Sequence, residues 1–422
     1  MSSNTIEPTK WLAQETDETQ KKPPYKVGLA LMCGVFLYLG PYMGTNVILL
    51  PAKTAQLAPD SKAAVIALLS TSAMVVATIA NIVFGTLSDM TRSRIGRRSP
   101  WIIGGSILTA ISLLLLNTAP NVTVLVLYWC VFQLGLNAII APFVAIMADR
   151  VAPKYRGTIS SMYAFGYSVG IYTGQMVGAQ FLDRLNIGFW VLAAAVLFAG
   201  PLAAIIMREP SSLDMPKLKF DRKVIITHFS IPLHNARDYY LALFGKFLIM
   251  AAKFSITGFQ LYILTDYMKL DTKGSTYYVS IISMCMMVTA IGMTILTGII
   301  SDRIKSRKLP VILSAIFIAA GSILPFFSPN PNFMIAYAIL AGMGLGAFNA
   351  VDQALNVEVL PNADSAAKDL GILNLANTGG QILGPVIAAA LISSVGYHAL
   401  FPLAAAFAIV GLVLIALIRK VK

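Results

Sequence analysis

Apolar residues in this chain occur in long runs that are separated by short polar stretches. A helix needs ~20 apolar residues to cross the hydrocarbon core of a bilayer. Lipid offers no partners to unpaired backbone groups, so such runs form helices and not open strands. The runs predict twelve transmembrane helices, which we number as segments 1 to 12, at about 27–50, 63–87, 101–118, 122–148, 157–182, 187–207, 239–265, 277–300, 310–328, 332–357, 370–394 and 398–418.

The composition supports an all-α membrane protein. Hydrophobic residues make up 57% of the 422 residues and charged residues 12%, whereas roughly 25% of the residues in soluble proteins are charged. Most segments must therefore contact lipid or each other. We expect the lipid bilayer to be the main partner of this chain.

A repeated loop divides the chain into two similar units. The sequence GTLSDMTRSRIGRRSPW at Gly85–Trp101 follows segment 2, and a shorter copy, GIISDRIKSR, begins 213 residues later at Gly298. Each copy follows the second apolar segment of its unit. We expect a tail at 1–26, a six-helix half at 27–207, a central loop at 208–238 and a second six-helix half at 239–422.

The repeated loop resembles the loop between helices 2 and 3 of the major facilitator superfamily, which follows a G-x-x-x-D-x-x-G-R-[RK]-like pattern. Its longer form, SDMTRSRIGRRSPW, is similar to the branch of sucrose/proton symporters and their bacterial relatives, near the glycoside-pentoside-hexuronide group. A second loop, from Asp149 to Gly157, resembles the A-D-x-V-P-x-x-x-R-G loop of the same superfamily.

The resemblance implies a central cavity lined by segments 1, 4, 7 and 10, between two halves that rock. It also assigns to these loops a role in keeping one side of the transporter closed. An alternative is that the charged residues only fix the orientation of the helices. The candidate gating residues are Asp89, Arg92, Arg97, Arg98, Asp149, Arg156 and Asp302.

The net charge of +13 is unevenly distributed between the two sides of the predicted bundle. Of the 32 Lys and Arg residues, 25 fall in the two terminal tails and the loops on their side, five fall in the opposite loops, and two lie inside segment 7. This asymmetry predicts that both termini are cytoplasmic. No basic groove with interleaved aromatic residues accompanies the charges, so we expect no nucleic-acid partner.

Polar side chains recur at helical spacing inside several segments. Such residues must face protein or water, because lipid cannot satisfy them. Amides and tyrosines suit a polyhydroxylated ligand, since amides donate and accept at once and aromatic rings stack on sugar C–H faces. Hydrogen bonds between helices are the alternative explanation. The candidate substrate-binding residues are Tyr38, Tyr42, Asn46, Gln133, Asn137, Tyr167, Lys253, Gln260, Asn349, Gln353 and Asn377.

Segment 7 contains two lysines inside its apolar run. Lys246, Lys253 and Gln260 are seven residues apart, which keeps them near one stripe of a helix. At ~1.5 Å per residue, Lys246 and Asp352 of segment 10 lie at similar depth, about 10 Å and 8 Å from the cytoplasmic ends of their segments. We expect these two residues to pair. The pair is either a proton-coupling site or a fixed structural contact.

Two prolines predict sharp breaks. Pro41 and Pro142 lie inside segments 1 and 4 and remove backbone donors there.

Segment 2 contains no acidic residue between Ala63 and Leu87, which argues against the sodium site of melibiose-type relatives. A proton needs only one carboxylate, and Asp352 is the best interior candidate.

These observations together predict a proton-coupled sugar symporter in a plasma membrane. The alternatives are an efflux antiporter for amphipathic compounds, a facilitator without ion coupling, or a membrane receptor with this fold. No nucleophile–base arrangement or metal-ligand spacing is present in the sequence, so we expect neither an enzyme nor a cofactor or metal ion. We expect a monomer.

Overall fold

A computed structural model describes residues 14–216, 236–304, 306–360 and 366–419. Most of the expected central loop and the first part of the tail lie outside these ranges. These described residues form twelve long helices, which are α1 Tyr25–Leu57, α2 Lys62–Met90, α3 Ser99–Thr118, α4 Val122–Arg150, α5 Arg156–Ala179, α6 Leu185–Met207, α7 Arg237–Thr257, α8 Thr272–Ile304, α9 Lys308–Phe327, α10 Asn332–Glu358, α11 Ala366–Ser394 and α12 Leu400–Ala416.

The expected all-α membrane fold is confirmed. Within the described ranges, 11 helical spans are long and apolar enough to cross a membrane. The remaining long helix is α5, whose sequence RGTISSMYAFGYSVGIYTGQMVGA is rich in Gly, Ser, Thr and Tyr. This helix packs closely against α1. Its polar composition therefore reflects contact with protein more than with lipid.

The helices pack as two groups of six with the same internal pattern. In the first half α1 packs on α5 and α6, while α4 packs on α2 and α3. In the second half α7 packs on α11 and α12, while α10 packs on α8 and α9. The halves meet where α5 contacts α8 and where α2 contacts α11. The sequence repeat thus corresponds to a structural repeat.

Glycines bring α1 and α5 into backbone contact. A Cβ atom on Gly174 would lie 2.0 Å from the carbonyl oxygen of Gly40, and one on Gly44 would lie 2.4 Å from that of Gly174. Helices in lipid associate through such close packing of small residues, because apolar side chains gain little there from leaving the lipid. These glycines therefore fix the position of α1, which contributes Tyr38, Tyr42 and Asn46 to the candidate site.

The expected breaks at the two prolines are wrong. α4 runs through Pro142 as one helix, and the first helical stretch of α1 runs through Pro41 to Gly44. In α1 the hydrogen-bond pattern changes only after Pro41, where a π-helix spans Thr45–Leu49 and leads into the last part of the helix. The interruption that the sequence analysis missed is in segment 7, where α7 ends at Thr257 and a π-helix follows at Ile263–Tyr267.

Because the chain crosses the bundle twelve times, Tyr25 and Ala416 lie at the same end. We call this the terminal end and the other the distal end. All hydrogen bonds and ion pairs between described residues of different halves lie in the distal part of the bundle. They join Thr276 to Ala179, Gln180 to Ser280, Ser283 to Gln175, Tyr262 to Pro51 and Lys62 to Asp266. The halves are therefore closed at the distal end.

Candidate functional site

Aromatic side chains of α1, α4 and α5 pack together inside the first half. The ring of Tyr42 stacks on those of Trp129 and Phe132, with centroid distances of 6.1 Å in both cases. The hydroxyl of Tyr38 lies 3.2 Å from that of Tyr163 on α5. Tyr167 lies one turn further along, with its ring 6.3 Å from Tyr163. The structure therefore places three predicted tyrosines, Tyr38, Tyr42 and Tyr167, in one cluster.

The two candidate amides of α4, Asn137 and Gln133, differ in their hydrogen bonds. Asn137 donates to the carbonyl oxygen of Gln133 at 2.9 Å and accepts from Asn81 of α2 at 3.3 Å. This is the interhelical contact that the sequence analysis gave as the alternative. Gln133 is 1% exposed, and its Nε2 has no hydrogen-bond partner among the described residues. A buried unpaired donor costs about 1–3 kcal/mol, so Gln133 is the better candidate to contact a ligand.

A pocket lies between the halves near the distal end. α1 contributes Tyr42 and Asn46, α7 contributes Phe254, and α11 contributes Gln381. The pocket reaches Gly258, where α7 ends. Just beyond this point Gln260 is buried, and its Nε2 also has no partner in the described part of the chain. The interruption of α7 thus lies at the interface between the halves.

The second half contains a buried ion pair. The ammonium of Lys246 on α7 lies 2.6 Å from a carboxylate oxygen of Asp352 on α10, and the two side chains are 3% and 11% exposed. Asn356 donates to the same oxygen at 3.2 Å. The structure therefore brings together the two residues that the depth argument paired.

The other predicted residues of the second half are less constrained. Asn349 is exposed and Asn377 is half-buried, and neither has a hydrogen bond to a described residue. Lys253 is half-buried, with Nζ 5.1 Å from the ring centroid of Phe254. The side chain of Gln353 lies outside what the structure describes.

At the terminal end of α2, α3 and α4, four residues form the charge cluster: Asp89, Arg97, Arg98 and Asp149. The guanidinium of Arg98 is 3% exposed and contacts Asp89 at 2.5 Å and Asp149 at 2.9 Å. Arg97 contacts Asp149 at 2.7 Å. Asp149 thus forms ion pairs with both arginines, whereas Asp89 is 50% exposed at the edge of the cluster.

Two candidate gating residues lie outside the charge cluster. Arg92 donates to the carbonyl oxygen of Leu213 at the start of the central loop. Arg156 donates to the carbonyl oxygen of Val151, at 3.2 Å, and so stays within its own loop. The side chain of Asp302 lies outside the described residues.

Sequence reasoning missed Glu209, which holds the charge cluster in place. Its carboxylate accepts from the backbone N–H groups of Arg97, Arg98 and Ser99 at 2.9–3.1 Å, and from the hydroxyl of Ser99. A carboxylate at a helix N-terminus is stabilised by these donors and by the helix dipole. The only sequence signal was an acidic residue directly after segment 6, close to an Arg-Ser-Pro helix start.

A related contact recurs in the second half. Arg307 donates to the hydroxyl of Ser301 at 2.9 Å, as Arg98 does to Ser88 at 2.6 Å. Ser88 and Ser301 occupy equivalent positions of the two loop copies. The sequence repeat therefore extends to side-chain geometry.

An ion pair across the halves was also missed, because its members lie in predicted loops. The ammonium of Lys62 lies 2.5 Å from Asp266, which also accepts from the hydroxyl of Tyr397 at 2.8 Å. Asp266 lies beyond the membrane-spanning part of α7. Burial acts to raise the pKa of this carboxyl, but the hydrogen bonds from Lys62 and Tyr397 outweigh it, so the pKa is lowered. We call Lys62, Asp266 and Tyr397 the distal gate.

No group of three or more His, Cys, Asp or Glu side chains that could hold a metal ion occurs in the part of the chain that the structure describes.

Solved structures with the same architecture span nearly the whole chain. The peptide transporter POT aligns with a TM-score of 0.74 and 15% identity over 97% of this chain and 98% of that one. The nucleoside transporter NupG aligns with a TM-score of 0.73 and 14% identity over 93% and 100%. A bacterial homologue of the human lysosomal transporter Spinster, in an inward-facing and occupied conformation, aligns with a TM-score of 0.69 and 15% identity over 94% and 97%. At these identities the likeness establishes the fold.

Sequence comparisons establish the family. An uncharacterized MFS-type transporter, C18.02, of Schizosaccharomyces pombe (strain 972 / ATCC 24843) is 28% identical over 104 residues, which are 25% of this chain and 23% of that protein. Residues 31–293 and 243–422 match the sequence profile of the Major Facilitator Superfamily. With both halves matched and the fold shared with its transporters, the chain belongs to the Major Facilitator Superfamily.

Proposed function

We propose that the protein is a proton-coupled sugar symporter that works by alternating access. The observation that carries this proposal is the buried Lys246–Asp352 pair, which joins α7 to α10. Ionisable groups inside a membrane are costly, and they usually serve ion or substrate pathways. A carboxylate with a single ammonium partner can take up a proton and release that partner.

The coupling follows from the charge balance of the pair. When Asp352 is ionised, the contact at 2.6 Å holds α7 and α10 together. When Asp352 is protonated, the ammonium of Lys246 loses its counter-charge and must gain water or another ligand. The two protonation states therefore favour different arrangements of these helices. This difference allows a proton gradient to bias the rocking of the halves.

The substrate-facing groups favour a hydroxylated ligand. Gln133 and Gln260 offer buried amide donors without partners among the described residues, and Tyr42 offers an aromatic face beside Asn46. A sugar can use both kinds of contact. The aromatic and apolar lining of the pocket, which includes Tyr42 and Phe254, also supports the second candidate, efflux of amphipathic compounds.

The orientation of the protein in the membrane is also part of the proposal. The excess of Lys and Arg at the terminal end favours cytoplasmic termini in a plasma membrane. In that orientation the closed distal end faces outside, and the described conformation is inward-facing. The protein would act as a monomer.

Uptake by proteoliposomes tests the function. Purified protein is reconstituted and offered a panel of labelled mono- and disaccharides, with the external side acidic or with no gradient. We expect at least one sugar to accumulate above its external concentration with the gradient, and a protonophore to abolish this accumulation. A sodium gradient and protein-free liposomes serve as controls. Sugar-independent export of amphipathic dyes in exchange for protons would contradict sugar symport and support the second candidate.

A further inference from the structure

Lys253 occupies an unusual position in α7. It lies seven residues after Lys246, which places it on nearly the same helix face and about 10 Å closer to the distal end. Lys246 faces α10 across the interior of the second half, as its ion pair shows. Phe254 and Thr257, one and four residues after Lys253, line the pocket between the halves, whereas Lys253 itself is not among its lining residues. Because residues four apart share a helix face, Lys253 lies one helical turn from the pocket, on the face that Thr257 presents to it.

No carboxylate among the described residues contacts Lys253. Asp352 is bound to Lys246 and Asn356. Asp266, beyond the end of α7, is bound to Lys62 and Tyr397. The described contact of the Lys253 ammonium is the ring of Phe254, at 5.1 Å. The described interior of the second half therefore has one more positive charge than negative charges.

The apolar surroundings make the charge of Lys253 costly. A lysine inside a membrane span costs several kcal/mol unless it is paired or hydrated. A cation–π contact stabilises the charge by only about 0.5–2 kcal/mol. Packing at this position requires no charge, since methionine would fill similar space. An ammonium that lies beside a substrate pathway and has no protein partner is suited to bind an anionic substrate, which enters and leaves in each transport cycle.

We infer that the transported substrate carries a carboxylate, which pairs with Lys253. This inference rests on the proposed function for the sugar part of the substrate, so the expected class is a sugar acid or a glycoside with a carboxylate. A single free ammonium matches a single negative charge. A phosphate dianion would need a second cation, and the nearest one, Lys246, is already neutralised by Asp352.

Binding of matched ligand pairs tests the inference. The purified protein is titrated calorimetrically with phenyl β-glucuronide and phenyl β-glucoside, and with phenylacetate and phenylacetamide. The members of each pair differ mainly in the carboxylate. We expect the wild type to bind the glucuronide at least tenfold more tightly than the glucoside. Lys253→Met should remove that preference, and Lys253→Arg should retain most of it.

Two controls separate binding from folding. Lys273→Met removes an exposed lysine at the start of α8 and should leave the preference unchanged. Thermal unfolding of Lys253→Met should not occur at a lower temperature than that of the wild type, because the variant removes an unpaired charge. A large drop in its melting temperature would mean that Lys253 has a structural partner and would overturn the inference.

The remaining outcomes distinguish the two proposals. A Lys253-dependent preference for phenylacetate with no binding of either sugar would support the anion site and overturn sugar transport. Equal affinity within both pairs, including no binding of any member, would overturn the anion site. A preference for carboxylates that persists in Lys253→Met would assign the anion to another residue and overturn it as well.

Discussion

At the scale of single residues, the two lysines of α7 differ in one respect. Lys246 has a carboxylate partner, whereas Lys253 has none among the described residues. The difference separates two roles on one helix face, with a proton assigned to the pair and a substrate charge to the lone lysine. Each role has its own test.

The pair provides the first residue-scale prediction. Asp352→Asn should abolish gradient-driven accumulation but permit counterflow, because exchange moves substrate without net proton transfer. Uptake and counterflow in the same proteoliposomes measure the two properties. Full proton-driven accumulation by this variant would move the coupling site to another carboxylate, with Asp149 and Glu358 next to be examined.

The double variant Lys246→Met with Asp352→Asn distinguishes a proton-coupling pair from a purely structural ion pair. In either case a single substitution leaves one buried group unpaired and costs roughly 3–5 kcal/mol of stability, while the double substitution restores most of it. A coupling pair leaves the double variant able to exchange substrate without responding to pH. A purely structural pair leaves it fully proton-driven.

The residues also show what a sequence can reveal about a site. The pairing of Lys246 with Asp352 follows from depth along two helices, because helical rise is regular. The partners of Glu209 and Lys62 could not be predicted, since both residues lie at the ends of helices or in loops where sequence gives no distance. Nothing in the sequence separates Asn137, which bonds to α2, from Gln133, whose Nε2 has no described partner, because both amides lie on the same face of α4 and their partners belong to other helices.

At the scale of elements, the charge cluster joins the ends of α2, α3 and α4. Asp149 accepts from both arginines, while Asp89 contacts one and is half exposed. Exposed ion pairs contribute about 0–1 kcal/mol, and buried ones with several partners contribute more. The central residue of this cluster is therefore Asp149, although the sequence motif places Asp89 first.

The cluster gives an element-scale prediction. Asp89→Asn should slow transport a few-fold with ligand affinity nearly unchanged, whereas Asp149→Asn should slow it more than tenfold. Initial uptake rates and equilibrium ligand binding measure the two effects. Gly104→Ala is a suitable control, because a Cβ there would have no atom within 4 Å. Equal rates in the two variants, or loss of binding in a folded Asp89→Asn protein, would contradict this gating role.

The elements themselves were largely predictable. Twelve apolar runs gave twelve long helices, because a bilayer requires continuous helices of a fixed length. The local irregularities were not predictable. Pro41 and Pro142 did not interrupt their helices, while α7 ended at Thr257 without a proline. Packing against neighbouring helices decides these points, and a single segment does not contain that information.

At the scale of the whole molecule, the halves are joined at the distal end by a small set of polar contacts. Within the distal gate, Lys62 and Asp266 form the only ion pair between the halves among the described residues. The lowered pKa of Asp266 keeps its carboxylate ionised at neutral pH, and the contact is lost only as the pH falls through that pKa. Between about pH 5 and 8 the carboxylate of Asp266 therefore stays ionised. The proposed proton coupling is accordingly assigned to a different carboxylate.

Charge substitution in the distal gate tests this arrangement. Lys62→Gln should favour opening of the distal end by up to about fivefold, since a partly exposed ion pair contributes at most about 1 kcal/mol. Labelling of Ser70→Cys, in the pocket, in a background without native cysteines measures the opening. The exchange of Lys62→Asp with Asp266→Lys should restore slow labelling. Lys53→Gln is the control, because Lys53 bonds within its own half. Unchanged labelling in Lys62→Gln would exclude a gating role.

The unpaired charge of Lys253 also has an electrical consequence. In the described interior of the second half, the empty protein carries one excess charge, because Lys246 and Asp352 cancel each other. Under the two proposals, the loaded protein has a proton on Asp352 and a carboxylate on Lys253, so this interior again carries one excess charge. Both steps of the proposed cycle then move the same charge, and we expect transport to be electroneutral. A membrane potential is worth about 2.3 kcal/mol per charge at 100 mV, yet it would neither raise nor lower the final accumulation. With one proton per substrate, each unit of pH difference would limit that accumulation to about tenfold.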